Sequence, residues 1–450
     1  MVHFFLYLCE AKRKSVEKEH EKVLIITYYW PPSGGAGVQR WLKFAKYLPQ
    51  HGWQPVVLTV DPAYASYPQR DESLLKEVSP HCLVYTTRSF ELYNLYKLVT
   101  GKKQVPFGGF ADSAHESTLQ RLSKFLRGNF LLPDPRRGWN RYAYRRALEL
   151  IAEHKIDTVI TTSPPHSTQL LGLKLKQKLN IRWIADLRDP WTDIYYYNHF
   201  KHTAAALRID RRYERQVVEQ ADQLITVSED VKRLFAAKTT LPVADRIAVI
   251  PNGYDGEDFK GVEPIKDNRF VITYTGTISE AYPIEALIAA LGSLEPKVKQ
   301  KMKFRFVGNM PESVGEKLRL TGLEMELTGY VSHAQSVTYL LSSDMLLLVI
   351  PRVANNKGIL TGKFFEYLAS QKPVLAIGPT DGDLAALIEE TRCGKIFSYD
   401  DAPGITQYIN QTFHNPLPQG ANNQAALAYS REQLTTRIVQ LLNAKNEMTP

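Results

Sequence analysis

Short apolar runs alternate with amphipathic stretches along most of the chain. Lys22-Val-Leu-Ile-Ile-Thr27 reads as a buried strand and Pro55-Val-Val-Leu-Thr-Val60 as another, while Val38, Trp41, Leu42, Ala45 and Leu48 recur between them at helical spacing. With Gly34, Gly35 and Gly37 at the first turn, this is a βαβ unit with a glycine loop. Residues 82–87, 156–162, 182–187 and 222–228 read as further strands, with one helix ending near 177 and another over 204–220. Polar, glycine-containing residues 253–268 read as a linker. The alternation then resumes, with strands at 270–275, 303–307, 325–328, 345–350 and 373–377. Helices fall near 283–292, 312–320, 333–341, 363–370 and 382–390, and a last one over Arg431 to Leu442. The pattern predicts an α/β protein of two Rossmann-like, doubly wound units.

Chemistry concentrates at Thr361-Gly-Lys-Phe-Phe-Glu-Tyr-Leu-Ala369. Phe364/Leu368 and Phe365/Ala369 fall at i,i+4, so a helix buries them along one stripe, and Lys363 and Glu366 share another face. Thr361 and Gly362 precede that helix, where unpaired N–H groups and the positive dipole end favour an anion. This suits a nucleotide diphosphate and its ribose. It equally suits a surface Lys–Glu pair, and the residues alone leave both open. In the first half, Gly34, Gly35 and Gly37 let backbone amides approach a phosphate or sugar. A dinucleotide site competes there, since Gly35-Ala-Gly37 opens its fingerprint and Asp61 follows the second strand. Arg40, however, holds the third glycine's place, and Pro31-Pro32 lengthens the loop. Loops at the C-terminal ends of parallel strands line the ligand crevice, which directs His166, Arg188 and Asp189 to one cleft. A core histidine and a plain Arg–Asp salt bridge are the structural alternatives. Asp381-Gly-Asp383 has the form of a D-x-D metal motif, but a turn or helix capping by Asp383 accounts for it. No metal site is expected.

A length of 450 residues points to two domains, and 44% hydrophobic with 23% charged residues is globular composition. The net charge of +9 favours anionic partners: nucleotide, phospholipid surface or nucleic acid. The 3 cysteines are scattered, without metal-ligand spacing, as suits a reducing cytosol. Residues 1–21 read as a polar extension and not as a signal peptide, and no apolar run approaches the roughly 18 residues of a membrane span. The protein is expected to be soluble or peripheral. The most basic region holds Arg121, Lys124, Arg127, Arg136, Arg137, Arg141, Arg145 and Arg146, beside an apolar helical face of Leu119, Leu122, Phe125 and Leu126, with Phe130 beyond. That face either inserts into an anionic membrane surface or packs on the core, with the latter expected. Residues 88–118 carry no clear pattern.

The string Thr361–Pro373, with Val374–Pro379 behind it, resembles the donor-binding segment of the family-4 glycosyltransferases of the GT-B fold. In that family a glutamate of an E-x7-E motif, matched here by Glu366, binds the donor's ribose. Gly358 stands in the place of the first glutamate. Tyr29–Arg40, Leu132-Pro-Asp-Pro with Gly138-Trp139, and Ile247–Gly253 are similar to other segments of the family. Thr275-Gly276-Thr277-Ile278 matches a turn near the donor diphosphate, and Gly329-Tyr330-Val331 a turn whose backbone reads the base. Tyr282-Pro283 follows where relatives carry a basic pair, which leaves charge on the diphosphate to Lys363 and the helix start, with Arg352 and Lys357 as further cations.

The resemblance implies two facing lobes with a cleft between them: an acceptor lobe over 22–255, a nucleotide-sugar lobe over 265–425, and a last segment, 426–450, returning to the first. It implies a retaining, metal-independent transfer of a sugar from a nucleotide-diphosphate sugar to a glycan or lipid-linked acceptor in surface-polysaccharide assembly. Lys363, His166, Arg188 and Asp189 are the implied catalytic residues. Gly34, Gly35, Gly37, Gly276, Thr277, Val331, Thr361, Gly362, Lys363 and Glu366 are the implied donor-binding ones. No cofactor and no nucleic-acid partner is implied. The expected location is cytoplasmic, with peripheral contact on the inner face of the membrane through residues 119–146 as the alternative to core packing of that stretch. A nucleotide-sugar-binding protein without transfer activity and a sugar-nucleotide epimerase of the same fold are the alternatives, the first motivated by Gly358.

Overall fold

The computed structural model describes residues 20–91, 118–280, 282–415 and 423–444. The extension before residue 20 and residues 92–117 of the patternless stretch lie outside the described residues.

Two parallel sheets organise the chain. The first comprises β1 (Glu21–Ile26), β2 (Trp53–Val60), β3 (Leu83–Thr87), β4 (Thr158–Ser163), β5 (Arg182–Leu187), β6 (Gln223–Thr226) and β7 (Ile247–Val249), in the spatial order β3-β2-β1-β4-β5-β6-β7. The second comprises β8 (Phe270–Thr275), β9 (Met302–Val307), β10 (Glu324–Gly329), β11 (Met345–Val349), β12 (Val374–Ile377) and β13 (Gly394–Phe397), in the order β10-β9-β8-β11-β12-β13. The near-continuous apolar runs follow from helices on both faces of each sheet. In β1, Val23 and Ile25 enter one core with Trp41 and Leu42, while Leu24 and Ile26 enter the opposite core with Trp139 and Leu150. In the second sheet Leu347, Leu375 and Ile377 face one core, and Leu346, Leu348 and Val374 meet Phe364, Phe365 and Leu368 in the other.

Elements that were not predicted include the Asn140–His154 helix, β13, the Glu229–Ala236 helix and the Ala402–His414 helix. The last has Pro403 and Gly404 in its first turn, which read as breakers. The side chain of Asp401 accepts from Gly404 N, and Ile405, Tyr408, Ile409 and Thr412 are buried at helical spacing. The final helix, Arg431–Asn443, crosses back to the first sheet, where Leu434, Ile438, Val439 and Leu442 join the core of Val23, Ile25 and Trp41.

The Thr118–Phe130 helix departs from the expectation that its apolar face packs on the core. Leu122, Phe125, Leu126 and Phe130 are exposed, Phe130 at 73%. The opposite side anchors the helix. A Cβ at Gly128 would come within 2.7 Å of Phe200 O, so only glycine allows this approach. The Arg127 guanidinium lies 4.8 Å from the Phe200 ring centre, and Thr203 N donates to Asn129 Oδ1 at 2.6 Å. No helix among the described residues is long and apolar enough to cross a membrane.

Candidate functional site

Hydrogen bonds across the seam show which strand ends oppose one another. Gln69, after β2, donates through Nε2 to the Tyr330 hydroxyl, after β10. At the other edge Asn355 Nδ2 donates to Asp193 O (3.0 Å), Ser228 Oγ to Gly358 O (2.9 Å) and Asp230 N to Asp383 Oδ2 (2.9 Å). Between these edges the loops after β1, β4 and β5 face those after β8, β9 and β11.

On the second lobe, Gly276 takes φ 98° as the chain leaves β8. The Lys363 side chain lies across it, and a Cβ at Gly276 would meet Lys363 Cδ and Nζ at 3.2 Å. Lys363 Nζ donates to Tyr274 Oη (2.9 Å) and sits 4.4 Å from that ring's centre, while Tyr274 donates to Thr277 O (3.0 Å). Burial lowers the Lys363 pKa against the opposing influence of Tyr367 and Glu366. Lys363 and Glu366 lie in the Gly362–Ser370 helix, whose stripe of Phe364, Phe365 and Leu368 fixes the register and leaves the polar face to the cleft. Thr361 sits at the N-cap without capping; its hydroxyl is buried with no partner among the described residues, and the space over Gly362 is open. Glu366 Oε1 lies 3.2 Å from His333 Nε2, the first residue of a helix fixed by a Ser332–Gln335 capping box. The hydrogen bond to Glu366 raises the His333 pKa, against burial. Asp258 and Lys43 act on His333 as well, so Glu366 lies near charged groups of the first helix and of the segment that leaves the first lobe. Val331 stands at the far edge, next to Tyr330.

On the first lobe, Gly35 (φ 88°) opens the Ala36–Tyr47 helix, and Gly34 N donates to Gln69 O (3.0 Å). Arg188 donates from Nη1 to Gly37 O and from Nε to Ser163 O, both at 2.8 Å, tying the loops after β1 and β4 together. The plain Arg188–Asp189 salt bridge is therefore absent: the guanidinium is engaged by carbonyls. The Asp189 carboxylate makes no hydrogen bond among the described residues, and burial raises its pKa against the pull of Arg188. The His166 ring stacks on Trp191 (4.7 Å between centres, 14° between planes), and its Nδ1 has no partner among the described residues. Burial, then the Arg188 charge, push its pKa down to about 3, so the imidazole is neutral. Gly34, Gly37, His166, Arg188 and Asp189 are thus gathered on one wall, with Gly276, Thr277, Thr361, Gly362 and Lys363 on the facing one.

Three expectations are corrected. Arg352 pairs with Asp400 (2.8 Å) and Lys357 with Asp381 (2.5 Å), so neither is a spare cation for a diphosphate. Asp383 does not cap its own helix, whose N-cap is Gly382; its carboxylate receives the Asp230 N–H of the other lobe. No group of three or more His, Cys, Asp or Glu side chains among the described residues is placed to hold a metal ion. His333, Gln69 and Asn355 were missed, because each contacts the site from a distant segment and none lies in a recognisable local pattern. Gly358 gains a physical account: a Cβ there would meet Ser228 Oγ at 3.0 Å and Asp230 Cβ at 3.1 Å, so a larger residue requires the first lobe to give way by a few tenths of an ångström.

Residues 109–258 match the family described as Glycosyltransferase Family 4. A probable glycosyltransferase of Pseudomonas aeruginosa, WbjE, is 20% identical over 269 residues, a stretch covering 57% of this chain and 66% of that protein. Among solved structures, Anabaena HepE in complex with UDP and glucose superposes with a TM-score of 0.58 at 16% identity, covering 95% of this chain and 100% of its own. WaaG, a glycosyltransferase involved in lipopolysaccharide biosynthesis, superposes at 0.54 with 14% identity, covering 94% and 100%. The chain thus shares the two-sheet fold of these glycosyltransferases, and the segment that forms much of its first lobe is similar to glycosyltransferase family 4.

Proposed function

We propose that the protein is a retaining, metal-independent glycosyltransferase that moves a sugar from a nucleotide-diphosphate sugar to a lipid-linked acceptor in surface-glycan assembly. One grouping carries the reading: Lys363 lying across Gly276, the open helix start at Gly362 beside it, and Glu366 one turn further along the helix. An ammonium group and unpaired N–H groups favour a diphosphate, and a carboxylate accepts from ribose hydroxyls. HepE, similar in fold, binds UDP and UDP-glucose, which supports a uridine diphosphate sugar as the first donor to test.

In the transfer, the bond between the anomeric carbon and the diphosphate oxygen breaks, and its electron pair leaves with the diphosphate. The acceptor hydroxyl oxygen bonds the same carbon on the same face, and its proton passes to the departing phosphate oxygen. Lys363 and the helix start stabilise the charge that builds on that oxygen more than they stabilise bound donor. Neutral His166 and the Asp189 carboxylate orient hydroxyls of donor and acceptor from the facing wall, and Arg188 holds the loop that carries them. Nucleotide release from a panel of nucleotide sugars is the direct test. Glu366→Ala raises the donor KM about tenfold or more, the equivalent of one lost charged hydrogen bond. Unchanged kinetics remove Glu366 from the site. Binding without transfer is favoured by one observation, the close packing of Gly358 against Ser228 and Asp230 where the family carries a glutamate. Donor binding accompanied by neither transfer nor hydrolysis selects that reading.

The exposed row Leu122, Leu126 and Phe130, close to exposed Arg121, supports a lipid-linked acceptor met at an anionic membrane. The protein floats with phosphatidylglycerol vesicles in a salt-sensitive manner, and Phe130→Asp weakens flotation without changing nucleotide release. Equal flotation with neutral vesicles, or none, assigns a soluble acceptor instead.

A further inference from the structure

A second feature of the first lobe lies outside the cleft residues. The Ala204–Gln220 helix carries Arg208, Arg211, Arg212 and Arg215 at i, i+3, i+4 and i+7, all exposed along one face. They line a groove of about 970 Å³ whose floor includes Leu207 and Lys238. Lys238 is held there by Asp193 (2.5 Å) and the buried Glu214 (3.2 Å). Arg208, Arg211 and Arg212 have no ion pair among the described residues, and Arg215 reaches Glu219 only at 4.0 Å. The acid within the stripe, Asp210, points inward to Trp191 and Tyr197. Like charges at i,i+4 destabilise a helix, so a stripe of four arginines with only one, distant carboxylate partner is a cost that an anionic ligand would offset. The groove also has a defined place. Asp193 lines it while bonding Asn355 across the seam, and lies four residues beyond Asp189, at most about 14 Å along the chain.

We propose that this groove holds the phosphate or carboxylate groups of an acidic acceptor glycan, the part lying just outside the reacting hydroxyl. The inference rests on the transfer reading and adds the acceptor's chemical class. A concave site fits a saccharide chain; a flat headgroup layer reaches only its rim. Planar guanidinium groups at helical spacing take carboxylates or phosphates in bidentate fashion along an extended ligand.

The test is calorimetric titration of the full chain with oligogalacturonate as a carboxylate-bearing probe. Parallel titrations use UDP and phosphatidylcholine vesicles with or without phosphatidylglycerol. Wild-type protein binds oligogalacturonate with an affinity that falls as salt rises. R208A/R211A/R212A/R215A lowers that affinity at least about tenfold and leaves UDP binding unchanged. The four side chains are exposed, so a thermal melt no lower than wild type verifies folding, and R211E/R212E supplies a second variant with the same expectation. Absent wild-type binding, unchanged oligogalacturonate affinity in the variants, or a loss confined to phosphatidylglycerol vesicles each overturns the proposal. A wild-type protein that binds oligogalacturonate but no nucleotide would instead count against the transfer reading while leaving the groove in place.

Discussion

Lys363→Met lowers the transfer rate by about two to three orders of magnitude while changing donor KM far less. The size follows from what is removed: a positive group placed where negative charge develops, in a site partly shielded from water. Loss of one such donor costs roughly 2.7–4 kcal/mol of transition-state stabilisation. Methionine keeps most of the aliphatic chain over Gly276, so the fold is retained and the rate change reports charge. In the free protein Lys363 is docked on Tyr274, through the hydroxyl at 2.9 Å and the ring at 4.4 Å. Donor binding must therefore draw it off that ring, and only part of its attraction appears as ground-state affinity. The same placement sets a pH dependence. Burial lowers the Lys363 pKa in the free protein, so the charged form is lost as pH rises through a value below that of an ordinary lysine, and kcat/KM falls on that alkaline limb. A variant rate within a few-fold of wild type, measured by single-turnover nucleotide release, would remove Lys363 from the chemistry.

Asp186→Ala destabilises the protein by roughly 3–5 kcal/mol, because it strands a buried guanidinium. The Asp186 carboxylate receives Arg40 through Nε (3.2 Å) and Nη2 (3.0 Å), Trp41 Nε1 (2.7 Å) and Thr162 Oγ1 (2.7 Å). Both charged side chains are at 1% exposure or less. Arg40 also donates to Pro251 O at 2.9 Å, so one ion pair joins the first helix, β4, β5 and the turn that leaves the first lobe. At the ordinary size scaling, the loss lowers the melting temperature of that lobe by roughly 6–20 °C. Urea unfolding followed by tryptophan fluorescence measures it. A loss under about 1 kcal/mol would mean that Arg40 finds another partner or water.

The same pair shows what the sequence reveals and what it hides. Arg40 could be read only as the residue that breaks a dinucleotide fingerprint; its structural use depends on Asp186, 146 positions away. Strands and helices with strong periodicity, from Val23 to Ile26 and from Phe364 to Leu368, were legible because burial on two faces or one stripe is a local pattern. Lys363 and Glu366 share a helix, so their common face could be derived from spacing. His333, which holds Glu366 in place, could not, since the contact joins two helices in different segments. The arginine stripe at 208, 211, 212 and 215 has visible helical spacing, yet its meaning depends on which side faces solvent and on the groove that Lys238 completes. The Thr118–Phe130 helix marks the limit of pattern reading most clearly: an apolar face predicts burial, and here the interior contact comes through Gly128 and Arg127 on the other side.

The Arg431–Asn443 helix has a bearing on biosynthesis. Domains generally mature in order of translation, the earlier one closing before the later one is made. Here the first lobe waits for Leu434, Ile438 and Leu442, which the ribosome delivers only after the whole second lobe. The later lobe is therefore able to settle first, and until release the nascent first lobe displays the apolar strip around Trp41 and Val23 to chaperones.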